Sequence, residues 1–140
     1  MDRHFSFSIQ VVMPFKLTGL VPMLETDDME ATIRFYNNVL GFAVVETFED
    51  ADENTVWAML IHGEVEMMFK TPNTVMNYGQ ILLTGNLYMH TNDVDAVWLR
   101  VKDRADVVYP IQNFPYGMRE FAVKDNNGYV LSFGTACPTT

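Results

Sequence analysis

Two stretches of the chain repeat one order of predicted elements, about 65 residues apart, and this repeat restricts the fold more than any other feature. Each stretch predicts a strand, a helix and then three strands. The starts correspond, because residues 24–28 parallel residues 89–93, and the ends correspond, because residues 67–71 parallel residues 131–135. Such a repeat indicates two copies of one supersecondary unit packed against each other.

The first unit is predicted from alternation and from helical spacing. Residues 17–25 alternate and predict a strand of about eight residues. Asp27 or Asp28 is a candidate N-cap for an amphipathic helix over residues 28–39, which Gly41 ends. Three strands follow, at residues 42–48, 55–61 and 64–69. An irregular linker is predicted over residues 70–83, because Pro, Asn and Gly interrupt the alternation there.

The second unit begins with a predicted strand at residues 86–91. Asn92 or Asp93 is its candidate N-cap, and the apolar face of its helix is formed by Val94, Val97, Trp98 and Val101. The three strands that follow are predicted at residues 107–112, 120–123 and 129–133. Residues 125–128 (Asp-Asn-Asn-Gly) predict a hairpin turn, since Asn and Gly accept a positive φ.

The chain length of 140 residues suits one domain. We predict a single domain over residues 18–136, with modules at about 18–72 and 84–136, preceded by an N-terminal arm or extra strand at residues 1–17. A formal net charge of −9 argues against a nucleic-acid partner, whose phosphates need a basic surface. No apolar run suggests a membrane span, and the single cysteine, Cys137, favours a cytoplasmic protein.

Four segments resemble, in the same order, motifs of the vicinal-oxygen-chelate superfamily, which contains glyoxalase I, extradiol dioxygenases, fosfomycin-resistance enzymes and bleomycin-resistance proteins. They are residues 28–42, with Phe35-Tyr36 and Leu40-Gly41-Phe42, and residues 92–96, 116–121 and 125–128. The resemblance covers residues 18–135. It implies an α+β fold of two β-α-β-β-β modules that form a curled mixed sheet around a cavity, often in a homodimer.

The resemblance also implies four metal-ligand positions, and this sequence departs from the family at each of them. They map to Val21, Met68, Asn86 and Ser132. Val21 has no donor atom, Met68 offers a soft sulfur, and the other two offer neutral oxygens, whereas hard or borderline dications need charged oxygens or imidazoles. A shift of two residues in register would put Glu66 in place of Met68, and a displaced site with Glu25, Glu66 and His90 is an alternative. We therefore expect no metal and no other cofactor.

Aromatic, sulfur-containing and polar side chains on the inward-facing positions predict a ligand-binding cavity. The candidates are Met23, Glu25, Trp57, Glu66, Met68, Asn86, Tyr88, His90, Phe114, Tyr116 and Ser132. Most of these residues also suit a plain core, although the loop at residues 114–116 carries aromatic side chains that a core does not explain.

The predicted function is metal-independent binding of a small aromatic compound that can be cationic, as in the bleomycin-resistance branch, where sequestration confers antibiotic resistance. Catalytic residues are not predicted. The alternative is a glyoxalase-like lyase, isomerase or dioxygenase with an atypical metal site. A third possibility is a sensor or interaction module that uses the fold as a scaffold.

Overall fold

The computed structural model describes residues 14–15, 18–72 and 82–138. The first module contains four strands and one helix, whose last turn is π-helical. Its elements are β1 (Met23–Glu25), α1 (Met29–Arg34) with the π-helical turn Phe35–Val39, β2 (Ala43–Glu49), β3 (Thr55–His62) and β4 (Val65–Lys70). The second module repeats this order. Its elements are β5 (Asn86–His90), α2 (Val94–Val101), β6 (Asp106–Asn113), β7 (Met118–Lys124) and β8 (Val130–Ala136).

Each module forms its own four-stranded sheet, and the two sheets have the same topology. The strand orders are β1-β4-β3-β2 and β5-β8-β7-β6. The first strand of each module pairs in parallel with the last, while the other pairs are antiparallel. This arrangement confirms the predicted α+β fold of two β-α-β-β-β modules with mixed sheets. The two sheets are not closed into one continuous sheet.

The two helices begin in the same way, 65 residues apart. The Asp28 carboxylate accepts the backbone N–H of Ala31 at 3.0 Å, and that of Asp93 accepts the N–H of Ala96 at 3.1 Å. These contacts satisfy N–H groups that have no partner within the helix. Gly41 follows the first helix with a φ of +77°, which a side chain would disfavour.

A hydrophobic core lies between each sheet and its helix. In the first module, the ring of Tyr36 packs on Phe42 at 5.4 Å and on Phe69 at 4.9 Å between centroids. In the second, Phe121 packs on Trp98 and Phe133 at 5.1 and 5.3 Å. Alternation therefore assigns one face of each sheet to its helix. We call the opposite face the open face. Neither helix in the described part of the chain is long and apolar enough to span a membrane.

The turn between β7 and β8 attaches the second module to the first. Asp125 is 6% exposed and accepts the hydroxyl of Tyr36 at 2.8 Å, in addition to the N–H groups of Asn127 and Tyr129. The Tyr129 hydroxyl donates to the backbone carbonyl of Glu25 at 2.7 Å. Burial, followed by the charge of Asp125, raises the pKa of Tyr36. These bonds hold the two modules together at a buried joint.

The strand predicted at residues 17–25 is wrong in length, since it contains only three residues, because Pro22 has no N–H with which to extend the ladder. The hairpin turn predicted at residues 125–128 is confirmed, and the N–H of Gly128 binds the backbone carbonyl of Asp125 at 3.1 Å. Within this turn only Gly128 has a positive φ, +91°, while the N–H of Asn127 binds the Asp125 carboxylate. The predicted arm at residues 1–17, apart from positions 14–15, and residues 73–81 of the predicted linker lie outside the described residues.

Candidate functional site

A buried carboxylate lies on the open face of the second sheet. Glu120 of β7 is 3% exposed. Its Oε2 accepts the hydroxyl of Tyr109 at 2.5 Å. Its Oε1 accepts the hydroxyl of Tyr88 at 3.3 Å and that of Tyr116. Three phenols from three segments of the chain therefore donate to one carboxylate.

The sheet geometry explains how Tyr88 reaches this carboxylate. Gly134 of β8 lies between Glu120 on one side and His90 on the other. A Cβ atom at Gly134 would lie 1.9 Å from the hydroxyl oxygen of Tyr88. Glycine is therefore required at this position if Tyr88 is to lie across the sheet, since no larger residue leaves the space.

An irregularity in β6 and the turn that follows it direct the other two phenols. Val107 pairs with Val123, but Tyr109 pairs with Ala122, so one extra residue is inserted between these pairs. Such a bulge changes the face to which the next side chain points. It places Tyr109 on the open face. Tyr116 comes from the turn before β7, where Gly117 adopts a φ of +87°.

Further polar and aromatic side chains surround these groups. Ser132 is fully buried and accepts a hydrogen bond from the side-chain amide of Asn86, while its hydroxyl lies 3.4 Å from that of Tyr109. Phe114 contacts Tyr109 edge-on and stacks on Tyr116, and His90 packs on Tyr88. We call this set the Glu120 cluster. Its members are Asn86, Tyr88, His90, Tyr109, Phe114, Tyr116, Glu120 and Ser132.

The carboxylate changes the acidity of its three donors. The hydrogen bond to Glu120 raises the pKa of Tyr116, and burial followed by Glu120 raises the pKa values of Tyr88 and Tyr109. The phenols therefore remain neutral donors at physiological pH. Among the described residues, no cationic side chain lies within ion-pair distance of Glu120. The ion pairs found there are Arg34–Glu30, Lys70–Glu25 and Arg119–Asp95.

The open face of the first sheet carries different side chains. Met68 lies between Met23 on β1 and Met59 on β3, and the equivalent Ser132 lies between Tyr88 and Ala122. The two sheets thus share one register, in which Met68, and not Glu66, is the equivalent of Ser132. A cleft of about 510 Å³ opens in the first module, where β2 and β4 end and β3 begins. It is lined by Asp50, Val56, Trp57, Lys70, Thr71 and Pro72.

The four positions at which the resemblance places metal ligands do not fit a divalent cation. Val21 and Met68 belong to the first module, and Asn86 and Ser132, in the second, bind each other. Their neutral or soft atoms are poor ligands for a hard dication. Within the described residues, no group of three or more His, Cys, Asp or Glu side chains is placed to hold a metal ion. The alternative set of Glu25, Glu66 and His90 therefore does not assemble.

The structure places six of the predicted binding residues in the Glu120 cluster. They are Asn86, Tyr88, His90, Phe114, Tyr116 and Ser132. The other five lie in the first sheet, and no hydrogen bond, ion pair or ring contact between described residues joins them to the cluster. They are Met23, Glu25, Trp57, Glu66 and Met68.

Sequence reasoning missed Glu120 and Tyr109. A signal for Glu120 was available, because it is an acid in the otherwise apolar strand 120–123 and shares a face with Ser132 across the hairpin. Simple alternation gave no such signal for Tyr109, since the bulge in β6 changes the face to which its side chain points.

The chain matches known proteins in sequence pattern and in fold. The sequence profile of the Glyoxalase/Bleomycin resistance protein/Dioxygenase superfamily matches residues 20–133. No curated protein matches the chain. Among solved structures, TioX from Micromonospora sp. ML1 is similar, with a TM-score of 0.70 and 24% identity over 85% of this chain and 98% of that chain.

Two further structures show the same fold at low identity. A glyoxalase-related enzyme from Clostridium phytofermentans has a TM-score of 0.70 and 17% identity, over 88% of this chain and 98% of that chain. A glyoxalase/bleomycin resistance protein from Streptomyces sp. CB03234 has a TM-score of 0.60 and 23% identity, over 82% and 97% respectively. These two structures show the fold, and the profile match over residues 20–133 shows the family.

Proposed function

The chain belongs to the Glyoxalase/Bleomycin resistance protein/Dioxygenase superfamily, and from this membership we propose that it binds and sequesters an aromatic small molecule without a metal. The observation that carries the proposal is the Glu120 cluster. There, a buried carboxylate, three phenols and a phenylalanine share one sheet face. Flat aromatic faces stack on planar ligands, and a carboxylate among them favours a ligand that carries positive charge.

Metal independence is supported by the chemistry of the donor atoms. Asn86 and Ser132 satisfy each other, so a dication there would have to break their hydrogen bond and accept two neutral oxygens in exchange for water. Sequestration of a toxic compound would protect the host cell, and antibiotic resistance is therefore part of the proposal.

Pairing of two chains would suit this function and remains a prediction. Every residue of β2 is exposed, including Val45 at 54% and Phe48 at 65%. Apolar side chains on an exposed edge strand favour association with a second copy. Light scattering on the purified protein measures this directly.

Alanine variants of the aromatic residues test the binding site. We expect Tyr88→Ala and Phe114→Ala each to weaken binding of a planar probe, 1-naphthylmethylamine, by about five- to tenfold, because each loses a stacking contact. Trp57→Ala is the comparison variant, since Trp57 is an aromatic residue on the first sheet, and its effect should be less than twofold. Titration calorimetry measures all three affinities.

The site is assigned wrongly if Tyr88→Ala and Phe114→Ala both leave the affinity unchanged. Elemental analysis tests metal independence separately. About one zinc, nickel, manganese or iron per chain, lost when Asn86 or Ser132 is replaced, would support a metalloenzyme instead.

A further inference from the structure

We propose that Glu120 is the specificity-determining residue of the site and that its Oε1 atom binds a protonated nitrogen of the ligand, such as a primary ammonium, amidinium or guanidinium group. This inference rests on the function proposed above and deepens it, because it assigns the chemical class of the group that is recognised.

The buried carboxylate of Glu120 carries a charge that its partners do not neutralise. Glu120 is 3% exposed, yet none of its partners among the described residues is a cation. Burial of a carboxylate is costly unless hydrogen bonds and an opposite charge compensate it. The phenols supply hydrogen bonds without charge. The neighbouring Arg119 is engaged with Asp95 and Asn113. A ligand cation would supply the missing charge.

The two oxygens of the Glu120 carboxylate differ in their partners. Oε2 binds Tyr109, which is half-buried and also lies against Ser132. Oε1 binds Tyr88 and Tyr116, whose residues are 37% and 64% exposed. Exposed phenols exchange a carboxylate for water at little cost, because water satisfies their hydroxyl groups. Oε1 is therefore the oxygen that becomes available to a ligand, while Oε2 holds the carboxylate in place.

Aromatic side chains surround Oε1 of Glu120. The rings of Tyr116 and Phe114 stack at 5.3 Å with an angle of 16° between their planes, and the hydroxyl of Tyr88 donates to the same oxygen at 3.3 Å. Aromatic rings attract an adjacent cation through their faces. A ligand whose nitrogen is bound at Oε1 therefore has aromatic side chains beside it.

Three probes with one aromatic ring system separate charge from hydrogen bonding. They are 1-naphthylmethylamine, 1-naphthylmethanol and N,N,N-trimethyl-1-naphthylmethylammonium. The amine is charged and donates N–H groups, the alcohol is neutral, and the trimethylated compound is charged without an N–H group. We expect the amine to bind about ten- to a hundredfold more tightly than the alcohol, since hydrogen bonds to charged groups are strong, with the trimethylated probe between them.

Replacement of Glu120 tests whether this residue recognises the charged nitrogen of the ligand. We expect Glu120→Gln to reduce the affinity for the amine to that for the alcohol and to leave the affinity for the alcohol unchanged. Glu64→Gln is the matched control, because it removes the same charge from an exposed turn of the first module. It should leave all three affinities unchanged. Circular dichroism verifies that each variant is folded.

Tyr116→Phe tests whether Oε1 of Glu120 is the atom that binds the ligand. This variant keeps the proposal testable if Glu120→Gln does not fold. Because the Tyr116 hydroxyl competes for Oε1, its removal should raise the affinity for the amine by about two- to fivefold. A loss of amine affinity in Tyr116→Phe would mean that the hydroxyl, not Oε1, binds the ligand.

The two proposals fail in different ways. Equal binding of amine and alcohol by the unmodified protein overturns the assignment of the cation but leaves the proposed binding function intact. Absence of binding for all three probes at millimolar concentration, measured by NMR, overturns the assignment and the proposed aromatic site together.

Discussion

The two modules have one backbone topology and opposite chemistry on their open faces. In the first sheet, Lys70 lies between Trp57 and Glu25 and forms an ion pair with Glu25 at 3.8 Å. In the second sheet the equivalent row is Glu120, Gly134 and His90. The middle position of the first row is the lysine Lys70, and the middle position of the second row is the glycine Gly134, which has no side chain.

This single difference determines what each sheet can bind. Lys70 neutralises the acid beside it within its own row. Gly134 instead leaves room for Tyr88, so that Glu120 is covered by phenols and lacks a positive partner among the described residues. A duplicated fold can therefore keep its strands, caps and core while the middle residue of one row decides whether the face is neutralised or available to a charged ligand.

The largest expected effect concerns the joint that makes the two modules one unit. Asp125→Ala removes the partner of the buried Tyr36 hydroxyl and breaks the bonds to two backbone N–H groups. We expect it to lower the free energy of unfolding by about 3–5 kcal/mol, because a buried donor loses its charged acceptor. Urea unfolding measures the loss.

Trp57 lies in the first module and Trp98 in the second, so two single-tryptophan variants report on each module separately. The urea unfolding transitions of these two variants should coincide, both with Asp125 in place and after the Asp125→Ala substitution. Asp103→Ala, an exposed acid after α2, is the control and should change stability by less than about 0.5 kcal/mol. Two separate transitions in the unmodified protein would show that the modules unfold independently and that the joint is weak.

A smaller loss of stability is expected from the N-cap variants, which test whether the two helix starts contribute equally to the stability of the fold. Asp28→Ala and Asp93→Ala each remove one N-cap bond, at 3.0 and 3.1 Å. Each should cost about 1 kcal/mol of unfolding free energy. The neighbouring cap candidates supply controls, since Asp27→Ala and Asn92→Ala should have little effect. A difference above about 1 kcal/mol between the two cap variants would contradict the equivalence.

The smallest expected change in stability at neutral pH is that of Glu120→Gln, and its effect at alkaline pH distinguishes the tyrosines of the Glu120 cluster from those of the joint. The raised pKa values of Tyr88, Tyr109 and Tyr116 contribute stability that is complete below the unfolded value of about 10 and that is lost as pH rises through the higher folded values. Glu120→Gln removes the charge, so these phenols should ionise at lower pH and the alkaline loss of stability should become shallower.

Absorbance at the phenolate band during a pH titration measures the number of tyrosines that ionise late. Tyr36 and Tyr129 should be unaffected in Glu120→Gln, because burial and Asp125 raise their pKa values. An unchanged titration curve in the variant would mean that burial, and not Glu120, controls the phenols of the cluster.

Local patterns predicted much of the fold. Helical spacing and Asp, Asn and Gly signals located both helices and their ends, and Asp93 is the cap among the two candidates that were considered. Alternation assigned the faces of β1, β4, β5 and β8 correctly, as the pairs Met23–Met68 and Tyr88–Ser132 show. These predictions are correct because side-chain direction repeats with a fixed period along a regular element.

The candidate site was predicted only in part. Six of its residues were named from alternation and from the aromatic loop, but Glu120 and Tyr109 were not. Alternation does not locate the bulge that points Tyr109 to the open face, and the importance of Glu120 depends on three donors from distant segments. The same limit explains why Trp57 and Glu66 were grouped with residues of the other sheet.

By itself, the sequence determined the repeat, the helices and the alternation of strand faces, because each depends on residue type and short-range spacing. The tertiary structure alone decided that an acid of β7 is buried among phenols from β5, β6 and the following turn. Burial and compensation of a charge depend on which groups long-range strand pairing brings within hydrogen-bond distance, and no local period encodes that.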